Sequence, residues 1–144
     1  MSASFLDTNV LVYAFDAGNT AKRERALALL ATAASGELHL STQVLQEFYV
    51  AVTRKLTPPL PAEEAERAVR AFARFPLVQV DTELIFAAMT THRGQQISFW
   101  DALVVEAARA AGCATLLTED LQDGRRFGSV TVENPFRDTP RAST

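Results

Sequence analysis

The sequence is poor in cysteine and has no long apolar run. Cys113 is the single cysteine, so no disulfide can form within the chain. No stretch approaches the ~20 apolar residues that a membrane-spanning helix needs. Asp7 also interrupts the first apolar segment before it could serve as a secretory signal. These absences favour a protein of the reducing cytoplasm that has no membrane partner.

Clustered glycines, clustered histidines and an excess of basic residues are also missing. The six glycines are scattered, and no G-x-G-x-x-G follows the first predicted strand, which argues against a dinucleotide-binding site. Without clusters of Cys or His, no zinc site is expected. The net charge is -3, from 14 Lys and Arg against 17 Asp and Glu. A polyanion would therefore have to meet a local basic surface, or an acidic site whose sign a metal inverts.

What the sequence does contain is an alternation of short apolar runs with amphipathic segments. A chain of 144 residues with 48% hydrophobic residues is expected to form one domain around one core. Strands are predicted at residues 4–6, 38–40, 77–80, 115–118 and 129–132. The alternation predicts an α/β fold with a mostly parallel sheet of about five strands and helices on both faces. We expect a single domain over residues 1–136 and a short polar tail over residues 137–144.

Four acidic residues stand just after predicted strands or early in the helices that follow them: Asp7, Glu47, Asp101 and Asp120. The carboxyl ends of parallel strands open onto one crevice of the sheet, so these side chains can converge there. Local alternatives exist, because Asp7 could cap a helix and Asp120 could be a turn residue. Asp101 could likewise complete a capping box that Ser98 begins.

Glu47 points to a bound cation more directly than the other acids. It lies at the edge of the face that its helix should bury, where an unpaired charge is costly. Four carboxylates close together would also raise one another's proton affinity. Mg²⁺ or Mn²⁺ would relieve that repulsion, since both prefer oxygen ligands. The set therefore indicates phosphoryl chemistry with one or two metal ions; with one, Asp101 or Asp120 could orient the attacking water.

Four sequence motifs carry these acids. They are FLDTNVL at residues 5–11, STQVLQEF at 41–48, SFWDAL at 98–103 and LTED at 117–120. In this order they resemble the acidic motifs of PIN-domain ribonucleases, in particular the VapC-type toxins of bacterial toxin–antitoxin pairs, and the resemblance extends from Phe5 to about Phe136. It implies a three-layer α/β/α domain, usually dimeric, that uses Mg²⁺ or Mn²⁺ to cut single-stranded RNA. It also implies a small antitoxin whose tail blocks the acidic crevice.

The resemblance assigns roles to individual residues. The metal-binding carboxylates would be Asp7, Glu47, Asp101 and Asp120, with Asn9 and Thr118 as polar supports. Asn9 could instead cap the first helix. The segment 121–127 is longer than the family's usual turn, which leaves Asp123 as a further ligand or a turn residue, and we prefer the turn.

Contact with RNA would need cations or aromatic surface near the acids. Arg125 and Arg126 follow the fourth motif and could contact phosphate, or they could be solvated surface charges. Trp100 precedes Asp101 and could stack a base. Packing of Trp100 against the sheet is the preferred interpretation.

The predicted function is that of a metal-dependent endoribonuclease, the toxin of a type II toxin–antitoxin pair. A phosphatase with Asp7 as nucleophile would also fit the first motif, but such enzymes usually place a second carboxylate where Asn9 stands. A catalytically silent module that binds RNA or a partner is the other alternative. The presence of all four acids argues against it.

Overall fold

The computed structural model describes residues 3–138 and contains a six-stranded sheet flanked by helices. The strands are β1 (Ser4–Leu6), β2 (Leu38–Ser41), β3 (Leu77–Val78), β4 (Thr115–Leu117), β5 (Arg126–Phe127) and β6 (Val130–Glu133). Their order is β3-β2-β1-β4-β6-β5, and all neighbours are parallel except β5 and β6. The predicted α/β fold with a mostly parallel central sheet is confirmed.

The strand that the sequence did not predict is β5. It is only two residues long and pairs antiparallel with β6 through Phe127 and Val130. Gly128 allows the reversal between them, because its φ of 64° lies in the left-handed region that glycine adopts without strain. A strand of two residues is too short to produce a recognisable alternation, so the sequence showed only a turn-rich segment there.

Within the described residues, six α-helices connect the strands. They are α1 (Thr8–Tyr13), α2 (Thr20–Leu30), α3 (Thr42–Arg54), α4 (Ala62–Phe72), α5 (Thr82–Gln95) and α6 (Phe99–Ala110). A side-chain oxygen of the preceding residue accepts a backbone N–H at the start of five of them: Asp7, Asn19, Ser41, Asp81 and Ser98. These contacts satisfy N–H groups that the first helical turn leaves unpaired. None of the described helices is long and apolar enough to cross a membrane.

The core lies on the central strands and under α6. Phe5, Leu6 and Leu116 of β1 and β4 are fully or almost fully buried, and α6 is buried from Ala102 to Ala108. A second part of the core is aromatic, where the rings of Phe15, Phe48, Phe72 and Phe75 meet edge-on with centroids 5.2–6.3 Å apart. Edge-on contacts of this kind add to the stability that burial alone provides.

The strand order reverses between β1 and β4. From β1 the chain builds β2 and β3 on one side, and later β4 and β6 on the other. A crevice opens at the carboxyl ends of the strands where an open α/β sheet reverses its order. Asp7 and Thr118 directly follow β1 and β4, so the fold places them side by side at this crevice.

The predicted polar tail is described only in part. Arg137, its first residue, donates to Asp123 across 3.0 Å, and residues 139–144 lie outside the described range.

Candidate active site

Asp7 is a buried carboxylate at the junction of β1 and α1. Only 4% of the residue is exposed. Its Oδ1 accepts the backbone N–H of Thr8 at 2.7 Å, and its Oδ2 accepts the hydroxyl of Thr118 at 2.8 Å. Burial raises the pKa of Asp7 to about 7, and the charges of Asp120 and Glu47 add to the shift. Asp7 therefore caps the helix and also belongs to a group of mutually repelling acids.

Asn9 and Thr118 connect Asp7 to Asp120. Asn9 Nδ2 donates to Thr118 Oγ1 at 3.0 Å and to Asp120 Oδ2 at 3.2 Å. Thr118 Oγ1 accepts the backbone N–H of Asp120 at 3.1 Å while its own proton goes to Asp7. The helix cap is Asp7, and the bonds of the Asn9 side chain run to residues 118–120. These two polar side chains thus fix the relative positions of the first and fourth acids.

Glu47 joins this group from α3. Its Oε1 accepts the hydroxyl of Thr8 at 2.8 Å, and its Oε2 accepts Gln43 Nε2 at 3.3 Å. Gln43 stands one helical turn before Glu47 and is itself buried. Sequence reasoning missed both Thr8 and Gln43 as contributors, although the i, i+4 spacing of Gln43 and Glu47 was a usable signal.

Asp101 completes the set from the first turn of α6. Its backbone N–H donates to Ser98 Oγ at 3.0 Å, so the helix cap expected from the sequence is present. Burial raises the pKa of the Asp101 carboxyl, with further contributions from the charges of Asp120 and Glu47. The same two charges act on Asp7. The four acids from distant segments therefore share one electrostatic environment.

The side-chain atoms that could coordinate a metal ion at this crevice are carboxylate oxygens. In residues 3–138, no three acidic, His or Cys side chains already form a ready-made metal cage. Mg²⁺ is typically bound through only one or two carboxylates and retains several waters. Gln43 Oε1, on the amide that binds Glu47, is a buried oxygen without a hydrogen-bond partner in the described part of the chain. The residues fit a hydrated hard cation better than a fully coordinated one.

A groove of about 650 Å³ opens beside the acids. Thr8, Asn9, Glu47 and Asp120 lie at its polar end. Apolar and polar side chains of α1, of α3 and of the segments that follow each helix form the rest of its wall: Val12, Tyr13, Asp16, Gln46, Val50, Ala51, Lys55 and Leu56. A groove with apolar walls and a few convergent polar groups is the usual form of a ligand site.

The hydrogen bonds of Asp123 and Arg125 go to segments other than those that carry the four acids. Asp123 accepts the backbone N–H of Asn134 at 2.7 Å and also binds Arg137, and these bonds lower the pKa of its carboxyl. Arg125 donates to the carbonyl oxygen of Gln95 at 2.7 Å and lies over the ring of Phe127. The described bonds of Asp123 hold the C-terminal segment, and those of Arg125 hold the end of α5. Arg126 is exposed in β5.

Lys22 is a site neighbour that the sequence did not indicate. Its Nζ donates to Glu119 at 2.8 Å and to the hydroxyl of Tyr13 at 3.2 Å, and Tyr13 also donates to Glu119. This contact ties the segment that carries Asp120 to α1 and α2. Lys22 and Glu119 are 97 residues apart, so no local pattern could reveal the pair.

The preferred interpretation of Trp100 was wrong. The residue is 61% exposed and does not pack under the sheet. It occupies the first turn of α6, whose buried residues begin only at Ala102.

Comparisons with known proteins place this arrangement in a family. A family model described as PIN domain matches residues 4–126. A search of curated proteins finds no match.

Several solved structures have a similar fold. They include a toxin–antitoxin complex from Klebsiella pneumoniae (TM-score 0.67, 16% identity, 92% of this chain and 98% of that chain). A second is Mycobacterium tuberculosis VapC20, a Sarcin-Ricin loop cleaving toxin (0.58, 23%, 79% and 87%). A third is VapBC2 from Rickettsia felis bound to a DNA fragment from its promoter (0.63, 21%, 92% and 98%). At these identities the structures support the fold, whereas the family model spans most of the sequence. The chain belongs to the PIN domain family.

Proposed function

We propose that this protein is a metal-dependent endoribonuclease and the toxin of a type II toxin–antitoxin pair. The observation that carries the proposal is the shared electrostatic environment of Asp7, Glu47, Asp101 and Asp120 at the crevice between β1 and β4. Such a group of acids is unfavourable by itself, because burial and like charges both oppose ionisation. A divalent cation and a phosphodiester together would turn the arrangement into a favourable one.

The chain's own residues supply the framework for this chemistry. The four carboxylates would hold Mg²⁺ or Mn²⁺, with Asn9 and Thr118 fixing two of them through the bonds described above. When bound, the cation supplies counter-charge for the phosphodiester and lowers the pKa of a coordinated water. The groove beside Glu47 and Asp120 would bind the RNA chain next to the acids.

Asp101 is the acid we assign to proton transfer. It is only half-buried, whereas Asp7 is enclosed and already accepts two hydrogen bonds. Its raised pKa makes the carboxylate a stronger proton acceptor at neutral pH. With a single ion, Asp7, Glu47 and Asp120 would hold it, and Asp101 would take the proton of the attacking water.

The biological role is proposed from the family and from the named structural relatives. Two of those relatives are toxin–antitoxin assemblies, and a third is a toxin that cleaves the Sarcin-Ricin loop. By extension, this protein would act in the cytoplasm as a homodimer, cut RNA and be inhibited by a cognate antitoxin. Co-purification of the product of a short neighbouring reading frame would identify that antitoxin.

Cleavage of RNA by the purified protein tests the enzymatic proposal. We expect single-stranded RNA to be cut internally in Mg²⁺ or Mn²⁺ and to remain intact in EDTA. Asp7→Asn and Asp101→Asn should each lower the rate at least about 100-fold, because each removes a charge that the chemistry requires. The rates are measured from labelled RNA on denaturing gels.

Asp123→Asn is the matched control, since it removes an acid from the same edge whose bonds go to Asn134 and Arg137. It should cut at nearly the normal rate. Equal cleavage by wild type and Asp7→Asn would contradict the proposal. So would hydrolysis of small phosphate esters by protein that leaves RNA intact.

A further inference from the structure

Trp100 is exposed in a place where tryptophan is unusual. It is the single tryptophan of the chain and 61% exposed, although indole side chains are normally well buried. The residue stands in the first turn of α6, immediately before Asp101. The ring of Phe99 contacts it edge-on with a centroid distance of 5.2 Å, and most of the residue nevertheless remains exposed.

A buried amide connects the backbone of Trp100 to the acidic group. Gln43 Nε2 donates to the carbonyl oxygen of Trp100 at 3.2 Å and to Glu47 Oε2 at 3.3 Å. Gln43 is only 4% exposed, so the surrounding core fixes this link. The main chain at Trp100, immediately before Asp101, is therefore held by the same side chain that holds one of the carboxylates.

The groove lies at the other side of the acids. Gln43, Glu47 and Ala51 follow one another at intervals of one turn on the same face of α3, and Ala51 lines the groove. The distance along the helix axis from Gln43 to Ala51 is about 12 Å. A single-stranded chain that crosses the acids from the groove would therefore arrive at Trp100.

The chemistry of the indole matches an unpaired base. The carboxylates around the crevice repel the phosphates of a nucleic acid, so a contact that carries no charge would favour binding beside them. Stacking of a base on an aromatic ring requires no charge and accepts any base. Base-paired RNA presents no open face of a base to such a ring.

We propose that Trp100 is a stacking platform for one unpaired base of the RNA, next to the phosphate that the acids bind. This inference rests on the proposed function, because it names the form of RNA that the same site accepts. It makes Trp100 a residue that selects single-stranded segments without selecting their sequence.

The fluorescence of Trp100 tests the inference directly, since no other tryptophan contributes. The full chain carrying Asp101→Asn, which should cut RNA at least about 100-fold more slowly than wild type, is mixed in Mg²⁺ with an unstructured oligoribonucleotide. The RNA should protect the indole from quenching by acrylamide. An oligonucleotide of equal length with abasic sites throughout, which retains every phosphate, should protect it much less.

Substitution of Trp100 in the same background measures its contribution to binding. Trp100→Ala should weaken binding of the oligoribonucleotide about 5- to 100-fold, as expected for the loss of one stacked base. Trp100→Phe should recover most of the affinity, because a phenyl ring also stacks. Phe86→Ala is the control, since Phe86 is 57% exposed on α5, a helix that carries none of the four acids.

Several results would overturn the inference. They are equal protection by the abasic oligonucleotide, no protection at any RNA concentration, and equal binding by Trp100→Ala. An indole that acrylamide cannot reach in the free protein, together with a change of oligomeric state in Trp100→Ala, would assign the residue to a protein interface instead. Binding is measured apart from cleavage, so the two proposals can fail separately. If wild type cuts RNA but RNA does not protect Trp100 from acrylamide, only the inference about Trp100 is refuted. If RNA protects Trp100 but wild type does not cut it, only the enzymatic proposal is refuted.

Discussion

At the scale of single residues, Asp7 shows how the candidate site opposes folding. The ordinary pKa of its carboxyl is 3.8, and burial next to two other acids raises it to about 7 in the folded chain. Between these pH values the folded protein holds a proton that the unfolded chain has already lost. The stability associated with Asp7 is therefore complete below about pH 4 and decreases as the pH rises through 7.

Asp7→Asn should remove this pH dependence. Asparagine can still cap α1, but it needs no proton to remain neutral. In EDTA, the free energy of unfolding of the variant should exceed that of wild type by a few kcal/mol at pH 8 and by much less near pH 4, since one pKa unit corresponds to ~1.4 kcal/mol. Urea unfolding at several pH values measures the difference.

Asp81→Asn provides the matched control for that measurement. Asp81 also caps a helix, accepting the N–H of Leu84 at 2.9 Å, but it is exposed. If the two variants differ from wild type by the same amount at every pH, burial of Asp7 is not the cause of the effect.

At the scale of structural elements, the segment after β4 depends on a contact with α2. The Lys22–Glu119 pair is mostly enclosed, with side chains 19% and 22% exposed, and the rings of Tyr13 and Phe136 lie beside the ammonium group. Removal of one partner from such a site leaves the other group poorly solvated and unpaired. The contact holds Glu119 and, through it, the adjacent Asp120.

Lys22→Met should lower the free energy of unfolding by about 1–3 kcal/mol. The comparison is Arg70→Met, which breaks the pair of Arg70 with Glu66 on α4, where both side chains are largely exposed at 77% and 60%. Arg70→Met should lower the free energy of unfolding by at most about 0.5 kcal/mol. Chemical denaturation of both variants at pH 7 gives the two values, and equal losses would mean that enclosure of Lys22 contributes nothing.

The elements also show which parts of the structure the sequence could predict. Strand ends determine where Asp7 and Asp120 lie, and strand positions follow from local apolar runs, so the convergence of these two acids was predictable. The bonds of Lys22 with Glu119 and of Gln43 with Trp100 join distant segments and leave no local pattern. Exposure of Trp100 was missed because its place in the first turn of α6 depends on how that helix sits on the sheet.

At the scale of the whole molecule, folding brings the four acids together from four separate segments. Asp7 follows β1, Glu47 belongs to α3, Asp101 to α6, and Asp120 follows β4. Repulsion among the four carboxylates therefore opposes folding of the entire domain. An ion that binds the folded crevice and not the unfolded chain must stabilise the whole fold by mass action.

Mn²⁺ should accordingly raise the thermal unfolding midpoint of the protein. At a concentration of about 100 times its Kd the stabilisation is about 2.7 kcal/mol, a shift of several degrees for a domain of this size. The shift should be larger at pH 8 than at pH 5.5, because the cation competes with the proton on Asp7. Calorimetry with Mn²⁺, and with NaCl at equal ionic strength to account for screening, measures it. The double variant Asp7→Asn with Asp101→Asn should lose most of the shift, and an equal response of wild type and double variant would place the cation elsewhere.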